Sequence, residues 1–280
     1  MRAAQLGIHL FVWGAEWQNE AFDLPRVLET CRRLGFAGVE LPWLRPLPSQ
    51  AVAAAARAVA AAGLWATVST ALPPEACLVD PDRAAAGVQW LDRAAEVAAA
   101  FGSPVLCGPL LAPVGELPAQ GRDPLPAVAP LAAAAEAAAA NGVRLCVEPL
   151  NRYETDVLHT LSEGELLCRQ SGGGVALLAD TYHENIEEQD PLGALERHLP
   201  WVGHVHLSEN HRGPVGSGHI PWGGVAAVLD TAGYSGRAVV EGFNAHVPTL
   251  ARATCIWRAP ASSPEAFAAA SAQQLRSLFR

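Results

Sequence analysis

The feature that most constrains this chain is a unit that recurs along it. An alanine-rich or amphipathic stretch ends in a glycine, and a short apolar run of β type follows. The unit appears as LGFAGVEL at Gly35, AAGLWATVS at Gly63, AFGSPVLC at Gly102, NGVRLCVEP at Gly142, SGGGVALLAD at Gly172 and AGYSGRAVVE at Gly233. Glycine just past a helix adopts the left-handed conformation that stops it, so each instance reads as helix, stop, strand. Two further strands complete the set, one near Leu6–Leu10 and one at Val202–Leu207 behind Pro200. The expected strands are 6–10, 38–41, 65–69, 105–107, 144–149, 175–180, 202–207 and 238–241. Short apolar strands alternating with helices are covered on both faces. Eight such units in a chain of 280 residues fit a (β/α)₈ barrel of the TIM type spanning 1–280 as one domain. An open doubly wound sheet shares the alternation, and strand count alone does not prove closure.

Composition narrows the function classes. The net charge is −9, which disfavours binding to a phosphate backbone. Half of the residues are apolar, enough for a large core. The cysteines at 31, 77, 107, 146, 168 and 255 form no C-x-x-C pair, and a chain this long needs no disulfide staples, so they read as small buried apolar residues in a reducing compartment. The N-terminal stretch MRAAQLGIHLFVWGAEW contains His9 and lacks a clean cleavage site, so it is not read as a signal peptide. No run reaches the about 20 apolar residues of a membrane span. The expected location is the cytoplasm. No P-loop is present, and the SGGG run at 171–174 precedes a strand, so it reads as a helix stop and not as a phosphate cradle.

In a barrel of this kind the C-terminal strand ends face the active site. Read in order, those ends offer Glu148, Asp180, His206 and Glu241 from four consecutive strands. Three carboxylates converging in one mouth repel one another and lose hydration, and a bound cation removes both penalties. One imidazole and three carboxylates make a mostly oxygen donor set. That set suits Mn²⁺, Mg²⁺ or Co²⁺ better than a thiolate zinc site, and one Mn²⁺ per chain is the expected ion. By strand period two, His204 shares the facing of His206 one layer deeper and reads as a core histidine or a support to the ligands. Cys146 should pack one layer below Glu148. His211 reads as solvated.

The segments VEPLNRYET, ADTYHENIEE, GHVHLSENHRGPVGSGHIPW and VVEGF resemble the ketose 3-epimerases related to D-tagatose and D-psicose 3-epimerase, within the xylose isomerase-like TIM barrels. The resemblance covers strands 5 to 8, and extends more weakly to FVWGAEW and GPLLAPVG. It implies that Glu148, Asp180, His206 and Glu241 are metal ligands and that Glu148 and Glu241 are also the two acid/base groups. It further implies that Glu154, His183 and Arg212 hold substrate oxygens. A homodimer or homotetramer is expected on the same ground. Trp13 and the Pro-rich loop 109–126 are expected to line the pocket.

The reaction implied is deprotonation beside a carbonyl and reprotonation from the other face, through a cis-enediolate of a free ketose. Alternative readings are kept for single residues: Arg212 in a surface ion pair, Glu154 as a carboxylate opening a helix, and His183 as an extra metal ligand. Rival functions are another isomerase on the same barrel (of hydroxypyruvate, inosose or aldose–ketose type), a metal-dependent endonuclease and a non-catalytic sugar-binding protein. The acidic charge and single metal set argue against the endonuclease.

Overall fold

The protein is described by a computed structural model covering residues 5–19 and 21–279. The first four residues of the N-terminal stretch read above, Met1–Ala4, lie outside the described residues. Eight strands form a closed, all-parallel barrel in sequence order: β1 Leu6–His9, β2 Gly38–Pro42, β3 Trp65–Ser69, β4 Val105–Gly108, β5 Arg144–Val147, β6 Val175–Asp180, β7 Val202–Leu207 and β8 Arg237–Val240. Closure is direct: Leu6, Gly7 and Ile8 of β1 pair with Ala238, Val239 and Val240 of β8. The open-sheet alternative is thereby excluded. Every barrel edge is paired, so no row of strand donors is left for another chain.

Helices α1 Leu24–Arg33, α2 Ser49–Ala61, α3 Ala84–Ala100, α4 Val128–Ala140, α5 Leu161–Gln170, α6 Thr181–Glu187, α7 Pro191–His198 and α8 Trp222–Thr231 alternate with the strands. Two more follow β8, α9 Pro248–Ala253 and α10 Pro264–Leu278. The glycines that announced the recurring unit, Gly35, Gly63, Gly102, Gly142, Gly172 and Gly233, all have φ between +64° and +87°. The alanine runs form α2 and α4, as helix propensity predicts. The main core lies between barrel and helices, and a smaller cluster of Val105, Cys107, Cys146, Ala176 and Leu178 packs separately. Five cysteines are buried, but Cys255 is exposed, which corrects the reading of all six as core residues. Among the described residues no helix is long and apolar enough to cross a membrane.

The strand limits differ from expectation at five strands; β2 and β4 each run one residue further, to Pro42 and Gly108, and the other three shifts bear on the site. β1 stops at His9, because Leu10–Val12 turns into a 3₁₀ helix whose Phe11 N–H is taken by Nδ1 of His9. β5 stops at Val147 and β8 at Val240, so Glu148 and Glu241 stand one residue past their strands. Pro149 follows Glu148 and has no N–H with which to continue the ladder. Backbone bonds from Glu148 N–H to Gly108 (3.0 Å) and from Glu241 N–H to Leu207 (3.3 Å) still hold both residues against the barrel rim.

One irregularity positions the site. The pairing of β6 with β7 slips between Leu177 and Leu178, so that Leu177 faces Val202 while Leu178 faces His204. Asp180 therefore stands opposite His206. An unbroken register would have placed Asp180 opposite Val205, whose side chain points to the other face. The extra residue is Gly203, where a Cβ would lie 2.9 Å from both the Ala176 Cβ and the Cys146 Sγ.

Candidate active site

The floor of the barrel mouth is built from β6 and β7, with Glu148 entering from the β5 side and Glu241 from the β8 side. Asp180 caps α6, accepting the Tyr182 N–H at Oδ1 (2.7 Å), which leaves Oδ2 for the site. Nδ1 of His206 lies 3.8 Å from Oε1 of Glu148, 3.9 Å from Oδ2 of Asp180 and 3.4 Å from Oε1 of Glu241. That nitrogen is buried and has no hydrogen-bond partner. Glu148, Asp180 and His206 can each bring one ligand atom within 4.8 Å of the others. Glu241 closes the group with Oε1, while its Oε2 is held by Arg212.

These groups fit a divalent cation. An orphaned imidazole nitrogen aimed at three buried carboxylates lacks only the ion, and the donors are the hard oxygens and single nitrogen expected for Mn²⁺ or Mg²⁺. The electrostatics agree. Burial by itself favours a neutral His206 ring, but the Glu241 and Glu40 carboxylates outweigh it and push its pKa up to about 10. The site thus calls for positive charge where the ion would sit. Burial, with Glu241 and Asp180 adding repulsion, holds the Glu148 carboxyl well above its ordinary value.

Arg212 closes the site from the loop after β7. Its φ is +59°, a left-handed turn conformation in a residue that is itself buried. Nη1 donates to Oε2 of Glu241 (2.6 Å), Oγ of Ser208 (2.8 Å) and Oδ2 of Asp180 (3.1 Å). The guanidinium stacks on Tyr182 at 3.7 Å and approaches Phe243 at 4.9 Å. A surface ion pair is therefore the wrong description. The loop itself is anchored by buried Glu209, whose carboxylate accepts from Trp222 Nε1 (2.8 Å) and from the backbone of Gly216 and Ile220.

His183 is also buried, and its Nδ1 accepts the Asn151 backbone N–H at 3.0 Å. Burial holds the ring neutral, lowering its pKa to about 3. With Nδ1 accepting, the one ring proton sits on Nε2. Nε2 faces Nη2 of Arg212 at 3.2 Å and the carboxylates of Glu148 and Asp180 at 3.8 and 3.9 Å. A protonated Nε2 is a donor and not a metal ligand, which argues against the extra-ligand alternative. Glu154 lies in the loop after β5 and begins no helix. It accepts from Asn151 Nδ2 (2.9 Å), and burial raises its pKa.

Glu148, Glu154, His183, His206, Arg212 and Glu241 line a cavity of about 170 Å³. At roughly 30 Å³ per water, it has room for a small polar molecule. The remaining wall is largely apolar, with Phe11, Leu44, Pro109, Val114, Phe243 and Leu250. The loop 109–126 contributes as expected, but Trp13 does not line the cavity; Phe11 does. Strand twist and the 3₁₀ turn after His9 settle which aromatic faces in, and neither is legible in the sequence.

Sequence reasoning missed what lies beneath. Glu40 of β2 is fully buried and accepts from His206 Nε2, His204 Nε2 and Thr67 Oγ1, each at 2.7 Å. His9 donates from Nε2 to Ser69 (2.8 Å) and sits 3.4 Å from Glu40. The signal was present: GVELP puts a carboxylate inside an otherwise apolar strand. His204 is a supporting residue as expected. His211 is exposed and bonds weakly within its own loop.

A family profile described as xylose isomerase-like TIM barrel matches residues 28–277. An L-ribulose 3-epimerase from Mesorhizobium japonicum is 33% identical over 262 residues, covering 91% of this chain and 87% of that protein. The chain belongs to the ketose 3-epimerase branch of the xylose isomerase-like barrels. A ketose 3-epimerase from Arthrobacter globiformis is 32% identical over 264 residues, 91% of this chain and 89% of that enzyme. Among solved structures, a D-allulose 3-epimerase from Methylomonas sp. in complex with D-allulose superposes with a TM-score of 0.89 at 26% identity, covering 98% and 97% of the two chains. An L-ribulose 3-epimerase structure gives 0.91 at 29% identity, covering 99% of this chain and 94% of that one.

Proposed function

We propose that this protein is a divalent-metal-dependent epimerase that inverts free ketoses at C3. The observation that carries this reading is the pair Glu148 and Glu241, which flank the unpartnered Nδ1 of His206 from the two sides of the β6–β7 floor. Glu148, Asp180, His206 and Glu241 would hold the ion, Mn²⁺ first, with Mg²⁺ and Co²⁺ as alternatives. When bound, the ion supplies Lewis acidity toward the sugar's carbonyl side.

The protein's own residues supply the rest. One glutamate, ionised, takes the proton from C3, and the C3–H electron pair moves toward the carbonyl to form an enediolate. The other glutamate, protonated, returns a proton to the opposite face of C3. The two carboxyls end with their protonation states exchanged, and solvent resets them. Nε2–H of His183 and Nη2 of Arg212, 3.2 Å apart, are two donors facing one another with no acceptor between them. A sugar oxygen gaining negative charge would supply that acceptor. Glu154 would accept from a hydroxyl at the C1 end. Arg212 is the one arginine lining the cavity among the described residues, and two carboxylates already engage it. A sugar phosphate would find no free positive charge, which favours an unphosphorylated substrate.

The relatives' names make L-ribulose and D-allulose the first sugars to try. The test is incubation of each, with D-tagatose and D-fructose, in D₂O with Mn²⁺. Deuterium at C3 together with the C3 epimer is expected for at least one ketose; no exchange at C3 in any of them would overturn the proposal. We also propose a homodimer or homotetramer. Tyr153 and Trp257, each 73% exposed, are apolar surface that association would cover, and light scattering reads the mass directly.

A further inference from the structure

We propose that Glu40 is a positioning residue: its carboxylate fixes His206 in the tautomer whose Nδ1 lone pair faces Glu148, Asp180 and Glu241. The inference rests on the reading of those residues as a metal site.

Glu40 sits on the far side of the barrel from β6 and β7 in chain order, yet its side chain reaches the base of the site. Oε1 lies 2.7 Å from His206 Nε2 and 3.4 Å from His9 Nε2. Oε2 lies 2.7 Å from both His204 Nε2 and Thr67 Oγ1, and 3.4 Å from Cys107 Sγ. Among the described residues no arginine pairs with it, and the chain has no lysine. A buried carboxylate without a permanent cation is costly unless donors satisfy it, and here donors from β3, β4 and β7 converge on it. An ionised carboxylate only accepts. Each contact therefore assigns a proton to the partner, and for His206 the proton goes to Nε2. A neutral ring then has its lone pair on Nδ1, the nitrogen without a partner in the site above. Carboxylate–histidine pairs of this kind orient metal-binding imidazoles and raise their basicity.

A second reading of the same residues is that Glu40, Cys107, His204 and His206 themselves hold a cation, since one atom of each lies within 4.8 Å of the others. That reading conflicts with the first. Ligation through Nε2 would place the His206 proton on Nδ1, aimed into the upper site, and the short contacts of Thr67 and His204 already occupy Oε2. One imidazole serves one of the two clusters. The unpartnered Nδ1, surrounded by three further carboxylates, favours the upper one.

Glu40→Gln tests this, because an amide cannot accept from every donor. Whichever way it turns, its NH₂ meets either His206 and His9 or His204 and Thr67. Mn²⁺ titration followed by electron paramagnetic resonance is expected to show binding about 10–100-fold weaker than wild type, with activity rising again as Mn²⁺ is raised. Wild-type affinity in the folded variant would overturn the role of Glu40. Absence of Mn²⁺ binding by the wild type would instead remove the metal reading itself, so the two failures are separable. The wild-type protein loaded with Mg²⁺ and labelled with ¹⁵N-histidine gives a measurement that does not depend on the variant folding. His206 should show a protonated Nε2 and an unprotonated Nδ1. A protonated Nδ1 in that sample would overturn the proposal.

Discussion

The two halves of the barrel mouth differ in what they offer. The half fed by β5–β8 presents Glu148, Glu154, His183, His206, Arg212 and Glu241 to the cavity, while the half fed by β1–β4 presents mainly the apolar Phe11, Leu44, Ala71, Pro109 and Val114, beside His9, Ser69 and Thr70. The carboxylate of β1–β4 lies deeper, where Glu40, Thr67 and Cys107 form the network under His206, and His9 reaches both that network and the cavity. The difference teaches a division of labour. Groups proposed to react need close mutual placement, and here they come from adjacent strands. A wall that would meet the rest of a sugar needs mainly shape, and loops can vary it without disturbing the proposed chemistry.

That division can be broken most severely from the β5–β8 side. Glu148→Gln and Glu241→Gln are each expected to lower kcat by about 10²–10⁴-fold while the thermal unfolding curve stays close to wild type. Near-normal turnover in either variant would mean that the two-carboxylate arrangement is not what inverts the carbon.

A smaller effect should come from the register of β6 against β7. Gly203→Ala puts a Cβ 2.9 Å from two side-chain atoms, and overpacking of this kind costs about 1–3 kcal/mol. Urea unfolding should show that loss, along with weaker metal binding if the bulge is what levels His206 with Asp180. An unaltered midpoint would show that β7 can shift without cost.

The loops of the two halves are strapped together by ion pairs. Arg122 in the loop after β4 pairs with Asp156 in the loop after β5, and with Glu116, which also holds Arg83. Burial raises the Asp156 pKa, but its bonds to Arg122 outweigh that and leave it below the ordinary carboxylate value. A carboxyl with a depressed folded pKa adds stability above its unfolded pKa and loses it as pH falls through the folded one. Asp156→Asn should therefore cost about 1 kcal/mol at pH 7, allowing for partial exposure. The gap to wild type should shrink below about pH 4. A gap independent of pH would assign the effect to packing and not to charge.

The mildest change is expected at the apolar wall. Leu44→Gln or Val114→Thr should reorder preference among ketoses by about 10-fold or less, with C3 exchange retained. A collapse of kcat on every sugar would blur the distinction between the two halves.

Much of this was legible beforehand because it is local. A glycine after an alanine-rich run stops a helix wherever the helix packs, so the order of elements could be read directly. Strand-end residues follow from the same pattern, which is why Glu148, Asp180, His206 and Glu241 stood out together. The Trp13 expectation failed because a single 3₁₀ turn after His9 decides which aromatic side chain faces the cavity. Glu40 escaped notice because its partners lie on four other strands, the most distant being His206, 166 positions along the chain.

The sequence by itself determined the alternation of elements, the carboxylate and imidazole inventory and the family. Only the tertiary structure decided that the sheet closes, that a bulge at Gly203 sets Asp180 opposite His206, and that Glu40 lies beneath them. The reason is physical. Helix stops and strand periodicity depend on neighbours in the chain, whereas closure, register and a buried carboxylate's donors depend on residues that meet only when the barrel is complete.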